Sequence, residues 1–271
     1  GDRDAVAASV SKAIPAASGK IIFRTDADAR VAPDAIPKAV AVLADPTVSG
    51  VTGRQVDVIG GSVVESDYRD LLSALQSFET GIDSTFIVHG PCFAFRRKEF
   101  TSLAADTIAD DTAIAVQLRR NGGRILMDPA IKFAEGGSSS LSGRRTRKDR
   151  RAVGLLQQLL RNRDALGKYG RYGWIILPLN WGLMIIGPWT LAATAILVML
   201  TGIAVAGPLG LLVPVGVVLF LIAGSRELLG PLQPLHAVAD AYLSLLIASL
   251  RLVQGDVNVA WEIDDAMRER L

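Results

Sequence analysis

At 271 residues the chain is long enough for one large or two smaller units, and half of its residues are apolar. Its net charge of +2 averages a mixed first half, a concentrated basic segment and an acidic tail; residues 172–225 contain no Asp, Glu, Lys or Arg, which marks a boundary. A single cysteine, Cys92, excludes an intrachain disulfide and a cysteine-built zinc site and suits a reducing compartment.

Residues 1–19 have neither a signal-peptide layout nor a first strand. Ala5, Val6, Val10 and Ile14 at helical spacing, closed by Pro15 and Gly19, predict a helix, so the sequence opens as though in mid-domain. The run Ile21-Ile22-Phe23 predicts a buried strand that stops at Asp26 and Asp28. Open α/β sheets hold ligands beyond the carboxyl ends of their strands, so this pair is expected to face a cleft. Two carboxylates one residue apart can hold a divalent cation and, through it, a diphosphate. The plainer alternative is that both aspartates satisfy N–H groups of a turn. A helix is expected from Pro33-Asp34 to Leu43, then one or two strands over 48–59. After Gly60-Gly61 a helix carries Tyr68, Leu71, Leu72, Leu75 and Phe78 as a core-facing stripe.

Residues 86–95, FIVHGPCFAF, predict a strand interrupted at His89-Gly90-Pro91. A glycine within a strand marks close approach of a ligand or of another backbone, which makes Gly90 a ligand-contact position. His89 reads as a structural residue and Cys92 as a small buried hydrophobe. Asp110 and Asp111 open an amphipathic helix that Gly122-Gly123 ends; spacing alone explains both as ordinary acidic residues at a helix N-terminus. Residues 124–135 predict a strand, an Asp-Pro turn and a second short strand. The alternation of strands and helices to this point argues an α/β fold.

After a Gly/Ser-rich loop, ten Lys and Arg between 144 and 171 face only Asp149 and Asp164. The run abuts an apolar span, and its middle places Val153, Leu155, Leu156, Leu159, Leu160 and Leu166 on one helical face. It therefore reads as an interfacial helix on anionic lipid and not as a nucleic-acid site. Residues 174–200 would be about 40 Å long as a helix, against a hydrocarbon core of about 30 Å, and 203–224 form a second span. The basic residues before this hairpin, and Arg226 after it, put the α/β part on the cytoplasmic side. Residues 228–253 carry His236, Asp240, Ser244 and Arg251 on one face, which suits either a helix embedded with that stripe inward or one lying along the surface; a third embedded helix is the expectation. A short amphipathic tail ends the chain.

Taken in order, TDADARVAPDAI after a strand, GPCFAFRRKEF, ADDTAIAVQLRRNGGRILMDPAIKFAE, RKDRRAVGLLQQLLRNRDAL and an apolar hairpin resemble the membrane-bound family 2 glycosyltransferases. The resemblance covers about residues 6–181. It implies an α/β fold: a partial GT-A (Rossmann-like) domain over 1–140, a basic interfacial helix over 141–172, a transmembrane region of two to three helices over 173–255 and a tail over 256–271. It further implies that Asp26 and Asp28 hold Mg or Mn at the diphosphate of a nucleotide-diphosphate sugar. Asp111 would be the catalytic base, with Asp110, Gly90 and Arg150 at the donor. The family's Q-x-x-R-W motif falls on 147–151, where Arg147 stands for Gln, Arg151 stands for Trp and only Arg150 matches. That departure favours addition of one sugar over processive polysaccharide synthesis. The family's first βα units, with an aspartate for the nucleotide base, have no counterpart here, so the chain is expected to be part of a longer protein. The expected function is inverting transfer of one sugar to a lipid-linked or membrane-proximal acceptor at the cytoplasmic face. A processive synthase, or a non-catalytic membrane scaffold or export partner, is the alternative.

Overall fold

The computed structural model describes residues 3–59, 63–136 and 141–255; the Gly60-Gly61 break, most of the Gly/Ser loop, the acidic tail and the side chains of Ala5, Val6 and Tyr68 lie outside the description. Helix α1 (Arg3–Ala16) leads to β1 (Ile21–Arg24), β2 (Ala29–Val31), α2 (Ala35–Val42), β3 (Val48–Ile59), α3 (Val63–Ile82), β4 (Phe93–Arg96), α4 (Asp110–Arg120) and β5 (Arg124–Gly136). The strands form one mixed sheet in the order β1-β4-β3-β5-β2, in which β3 and β5 run parallel and the other neighbours antiparallel. Side chains alternate across β4. Phe93 and Phe95 meet Ile14 of α1 and Ile114 and Leu118 of α4 on one face, while Ala94 joins Ala35 and Ala39 of α2 on the other.

Strand β1 is half-buried rather than fully buried, because it is the sheet's edge among the described residues. The run 86–95 yields only the short β4. Residues 86–89 join no ladder, and a 3₁₀ turn at Gly90–Cys92 contains Pro91, which has no N–H to give to a ladder. The expected Asp-Pro turn is a bulge inside a continuous β5. Pairing jumps from Gly53↔Asp128 to Arg54↔Lys132, and Ala130 N–H donates to Asp128 Oδ1 at 2.8 Å.

Helix α3 turns only part of the expected face inward: Leu72 and Leu75 are half-buried, with Leu72 packed on the core. Ser73, Gln76 and Glu79 are buried, whereas Leu71 and Phe78 are 55% and 57% exposed. The unladdered segment beneath it supplies the reason, since its backbone groups need partners. Gln76 Nε2 donates to Ile87 O at 2.9 Å, and Glu79 Oε2 accepts from Phe86 N–H and Thr85 Oγ1, both at 3.0 Å.

Helix α5 (Leu141–Arg161) reverses the expectation in the other direction. Val153, Leu156 and Leu159 are buried against Phe86, Val116, Tyr172, Ile176 and Ala248, so most of this leucine face lies inside the fold, with Leu160 and Leu166 left exposed. The basic run is also neutralised by carboxylates remote in sequence. Arg145 and Lys148 reach Asp240 at 2.9 and 2.6 Å, Arg151 reaches Glu135 at 2.6 Å, and Arg161 pairs with Asp106.

The chain is then helical from Tyr172 to Ala206, including α6 (Leu177–Trp181) and α7 (Gly187–Ala206). Two single π-turns, Tyr172–Ile176 and Gly182–Ile186, immediately precede Pro178 and Pro188, whose missing N–H and ring bulk call for a wider turn. A turn at Gly207–Leu211 leads to α8 (Leu212–Ser225), and α9 (Gln233–Val253) follows. The first apolar helix is thus longer than expected and the second starts later, with Pro208 in the turn between them. Two segments, Tyr172–Ser225 and Gly230–Val253, are long and apolar enough to cross a membrane. His236 and Ser244 of α9 are buried, and Asp240 faces α5, so the polar stripe packs inward as expected.

Candidate active site

Four stretches converge at one end of the sheet. Asp26 and Asp28 follow the carboxyl end of β1 in a loop closed by backbone carbonyls: Ala29 N–H donates to Asp26 O at 3.1 Å, and Gly136 N–H to Asp28 O at 3.2 Å. Asp110 and Asp111 begin α4, where free N–H groups and the helix dipole favour negative charge. Each spends one oxygen on the helix start and turns the other to the site. Asp110 Oδ1 accepts Asp111 N–H at 3.1 Å while Oδ2 lies 2.9 Å from Arg24 Nη2. Asp111 Oδ1 accepts Thr112 N–H at 2.6 Å while Oδ2 accepts Gly90 N–H at 3.0 Å. The capping explanation and the site explanation therefore hold together. A Cβ at position 90 would sit 3.2 Å from Asp111 Oδ2 and 3.6 Å from the Arg24 guanidinium, so the close approach at Gly90 is that of this carboxylate.

The charges form one electrostatic neighbourhood. Burial pushes the Asp26 carboxyl up, Arg24 opposes this, and Glu135, Asp28 and Asp111 push it further. Burial likewise raises Asp110, with Arg24 opposing and Asp111 adding. Burial works against the Arg24 charge, but Asp110, Asp111 and Asp26 outweigh it and raise that pKa. Arg150, on α5, is lowered by burial and by Arg151 and Arg147, while Asp110 and Asp111 draw it the other way. The one matched position of the degenerate motif thus lies within reach of the acidic pair.

Glu135, Arg24 and Gln55 belong to the same cluster and carried no assignment from the sequence. Glu135 is buried, which alone would raise it, yet Arg151 and Arg147 hold it below the ordinary carboxylate range. Arg147 lies 3.7 Å from Glu135 Oε1, and Gln55 Nε2 donates to Oε2 at 3.2 Å. Two weak signals were present: a charge inside an apolar strand at Arg24, and a lone carboxylate closing the alternation of β5 at Glu135. His89 is structural as expected. Burial, and after it Arg151, lowers its pKa to about 4, its Nε2 lies 3.2 Å from Gln76 Oε1, and its ring packs on Phe133. Burial raises the Cys92 thiol to about 11, in keeping with an inert core residue.

Among the described residues no three His, Cys, Asp or Glu side chains stand together as a closed metal cage. The donor set is a pair of neighbouring aspartates crowded by Glu135 and Asp111, and within the pair Asp26 is pushed toward protonation. Such an open, oxygen-only pair suits Mg or Mn, which takes one or two carboxylates and completes its shell with water and substrate phosphate.

The fold is a mixed-sheet α/β domain with an acidic cluster at one end of the sheet, and the comparisons give its family. The model of the glycosyl transferase family group 2 matches residues 21–208, and the chain belongs to this family. It is similar to the solved mannosyltransferase PcManGT from Pyrobaculum calidifontis in complex with GDP-Man and Mn2+, at 26% identity and a TM-score of 0.70. The match covers 91% of this chain and 66% of that one, so the chain spans about two thirds of that enzyme's length, and the fold is GT-A-like. Among curated proteins none matches.

Proposed function

We propose that the chain is the catalytic part of an inverting glycosyltransferase that moves one sugar from a nucleotide-diphosphate sugar to a lipid-linked or membrane-proximal acceptor on the cytoplasmic face. The observation that carries this reading is the grouping of Asp26, Asp28, Asp110, Asp111 and Arg150 in one charged cluster, with Asp111 fixed by two backbone N–H groups.

Asp26 and Asp28 would hold Mg or Mn, which when bound supplies positive charge to the diphosphate. The acceptor hydroxyl oxygen attacks the anomeric carbon from the face opposite the diphosphate. As the new carbon–oxygen bond forms, the bond to the diphosphate oxygen breaks and Asp111 takes the hydroxyl proton. One displacement inverts the anomeric configuration. Arg150 is placed to meet charge on the departing diphosphate, a role in which a preorganised cation is worth most in a water-poor cleft. Arg147 and Arg151, where the processive motif has Gln and Trp, both turn to Glu135 instead. This favours single addition over a polymer synthase.

Two apolar segments of sufficient length support membrane association, and the basic residues flanking them support the orientation. GDP-mannose is the first donor to test, because the similar solved enzyme binds it. Membranes holding the full protein, supplied with Mn2+ and a panel of sugar nucleotides, should release nucleoside diphosphate and yield a product of inverted anomeric configuration by NMR. Retained configuration would overturn the single-displacement mechanism, and no turnover of any donor would overturn the enzyme reading.

A further inference from the structure

We propose that the cavity between α4, the loop 101–107 and the end of α5 is a second binding site, one that takes a small neutral saccharide. Its volume is about 350 Å³, within the range of ligand pockets, about 300–1,000 Å³. None of Asp26, Asp28, Asp110, Asp111 and Arg150 lines it, so it is separate from the acidic cluster.

The walls are fixed by side-chain amides. Gln117 ties the loop to α4, its Oε1 accepting Thr101 N–H at 3.0 Å and its Nε2 donating to Ser102 O at 3.1 Å. Gln157 of α5 holds the other end of the loop, accepting Ile108 N–H at 3.1 Å and donating to Asp106 O at 2.9 Å. A loop held at both ends keeps the cavity open before any ligand arrives. Gln158, next along α5, lines the cavity and is 3% exposed, yet its Nε2 has no hydrogen-bond partner among the described residues. A buried donor without an acceptor is costly, and a ligand oxygen would satisfy it.

The lining selects the ligand. Arg120 and Arg161 are present, but Asp164 and Asp106 already pair with them, so the cavity offers directional donors and little net charge. Thr101 and Ser102 bring exposed hydroxyls to the mouth, and Leu103 and Val116 bring apolar surface. Groups that both give and accept hydrogen bonds around an apolar patch match the hydroxyls and C–H faces of a sugar ring better than they match a phosphate. No aromatic ring lines the cavity among the described residues, so binding is expected to be weak, with a Kd of about 1 mM. A glycan held there sits on the helix that begins with Asp110 and Asp111, which would raise its effective concentration at the acidic cluster. That consequence rests on the proposed transfer reaction; the site itself does not.

Ligand-observed NMR on the full protein in nanodiscs, free of sugar-based detergent, tests this with the neutral disaccharides mannobiose, maltose, cellobiose and lactose. At least one should bind the wild type, and Asp26→Ala should bind it equally well. Gln158→Leu removes the free donor, and Ala113→Leu fills the cavity from α4 with a residue that suits a helix; each should weaken binding at least about fivefold. Excess inorganic phosphate should not displace the sugar. No binding of any disaccharide, unchanged binding in either cavity variant once folded, or displacement by phosphate would overturn the proposal. Loss of binding in Asp26→Ala would put the sugar at the acidic cluster and overturn it as well. Because the readout is binding and not turnover, failure of the enzyme reading leaves this site standing, and the reverse.

Discussion

Asp26 is a carboxylate under competing pressures. Burial and the negative charges of Glu135, Asp28 and Asp111 favour its protonated form, and Arg24 alone resists. The sign of the pH dependence follows. Because its pKa is raised in the folded chain, Asp26 contributes less to stability as pH rises from the ordinary aspartate value of about 3.9 through its raised value. A divalent cation needs the ionised form and must displace the proton, so its affinity should rise with pH across that same window. Calorimetric Mn2+ titrations in two buffers of different ionisation enthalpy should show proton release at the acid end, and an affinity independent of pH would contradict the assignment. At this scale Asp26, Asp28, Asp110 and Asp111 were legible because each sits where a run of regular structure starts or stops. Glu135 and Arg24 were not, since their meaning depends on partners contributed by α5 and α4, far along the chain.

Helices α3 and α5 show how far periodicity reaches. It located both helices, but it could not say which face is inner, because both carry an apolar stripe and polar positions at helical spacing. What decides is demand from neighbouring backbone. The segment 85–89 joins no ladder and, among the described residues, hydrogen-bonds to the sheet only through Thr85 N–H to Ile125 O and His89 N–H to Thr52 Oγ1, so α3 presents Gln76 and Glu79 to it, and Leu71 and Phe78 are left outside. Glu79 is the residue on which this choice turns. Its carboxyl, raised by burial, accepts from Phe86 N–H, Thr85 Oγ1 and the Asn180 amide. Glu79→Ala leaves the Phe86 N–H and one N–H of the Asn180 amide without an acceptor in the interior, while Thr85 Oγ1 keeps Ile87 O and the other Asn180 N–H keeps Ile176 O, and should lower stability by about 2–4 kcal/mol, read as a reduced unfolding midpoint in detergent. A loss under about 1 kcal/mol would show that α3 is not held by these bonds.

Across the whole molecule, charge pairs tie the sheet to the apolar helices. Arg119 makes a two-point contact with Asp83, at 2.8 and 3.0 Å, and donates to Tyr169 O, while Arg120 pairs with Asp164. On α5, Arg151 reaches Glu135 at the acidic cluster, while Arg145 and Lys148 reach Asp240 of α9. One helix therefore bears on both the site and the apolar bundle. The sequence carried the order of these parts but not their wiring, because a run of arginines reads as a lipid-seeking patch until the carboxylates that meet it are brought near by folding.

The claim at the centre of this arrangement is a division of labour between Asp26, which binds, and Asp111, which takes a proton. Donor binding and donor turnover, measured together on the full protein with Mn2+, separate the two roles. Asp111→Asn should keep cation-dependent donor binding and lose turnover by at least about a hundredfold, as expected when a general base is removed, whereas Asp26→Ala should lose the cation-dependent binding itself. Turnover by Asp111→Asn at the wild-type rate, with folding intact, would contradict the account.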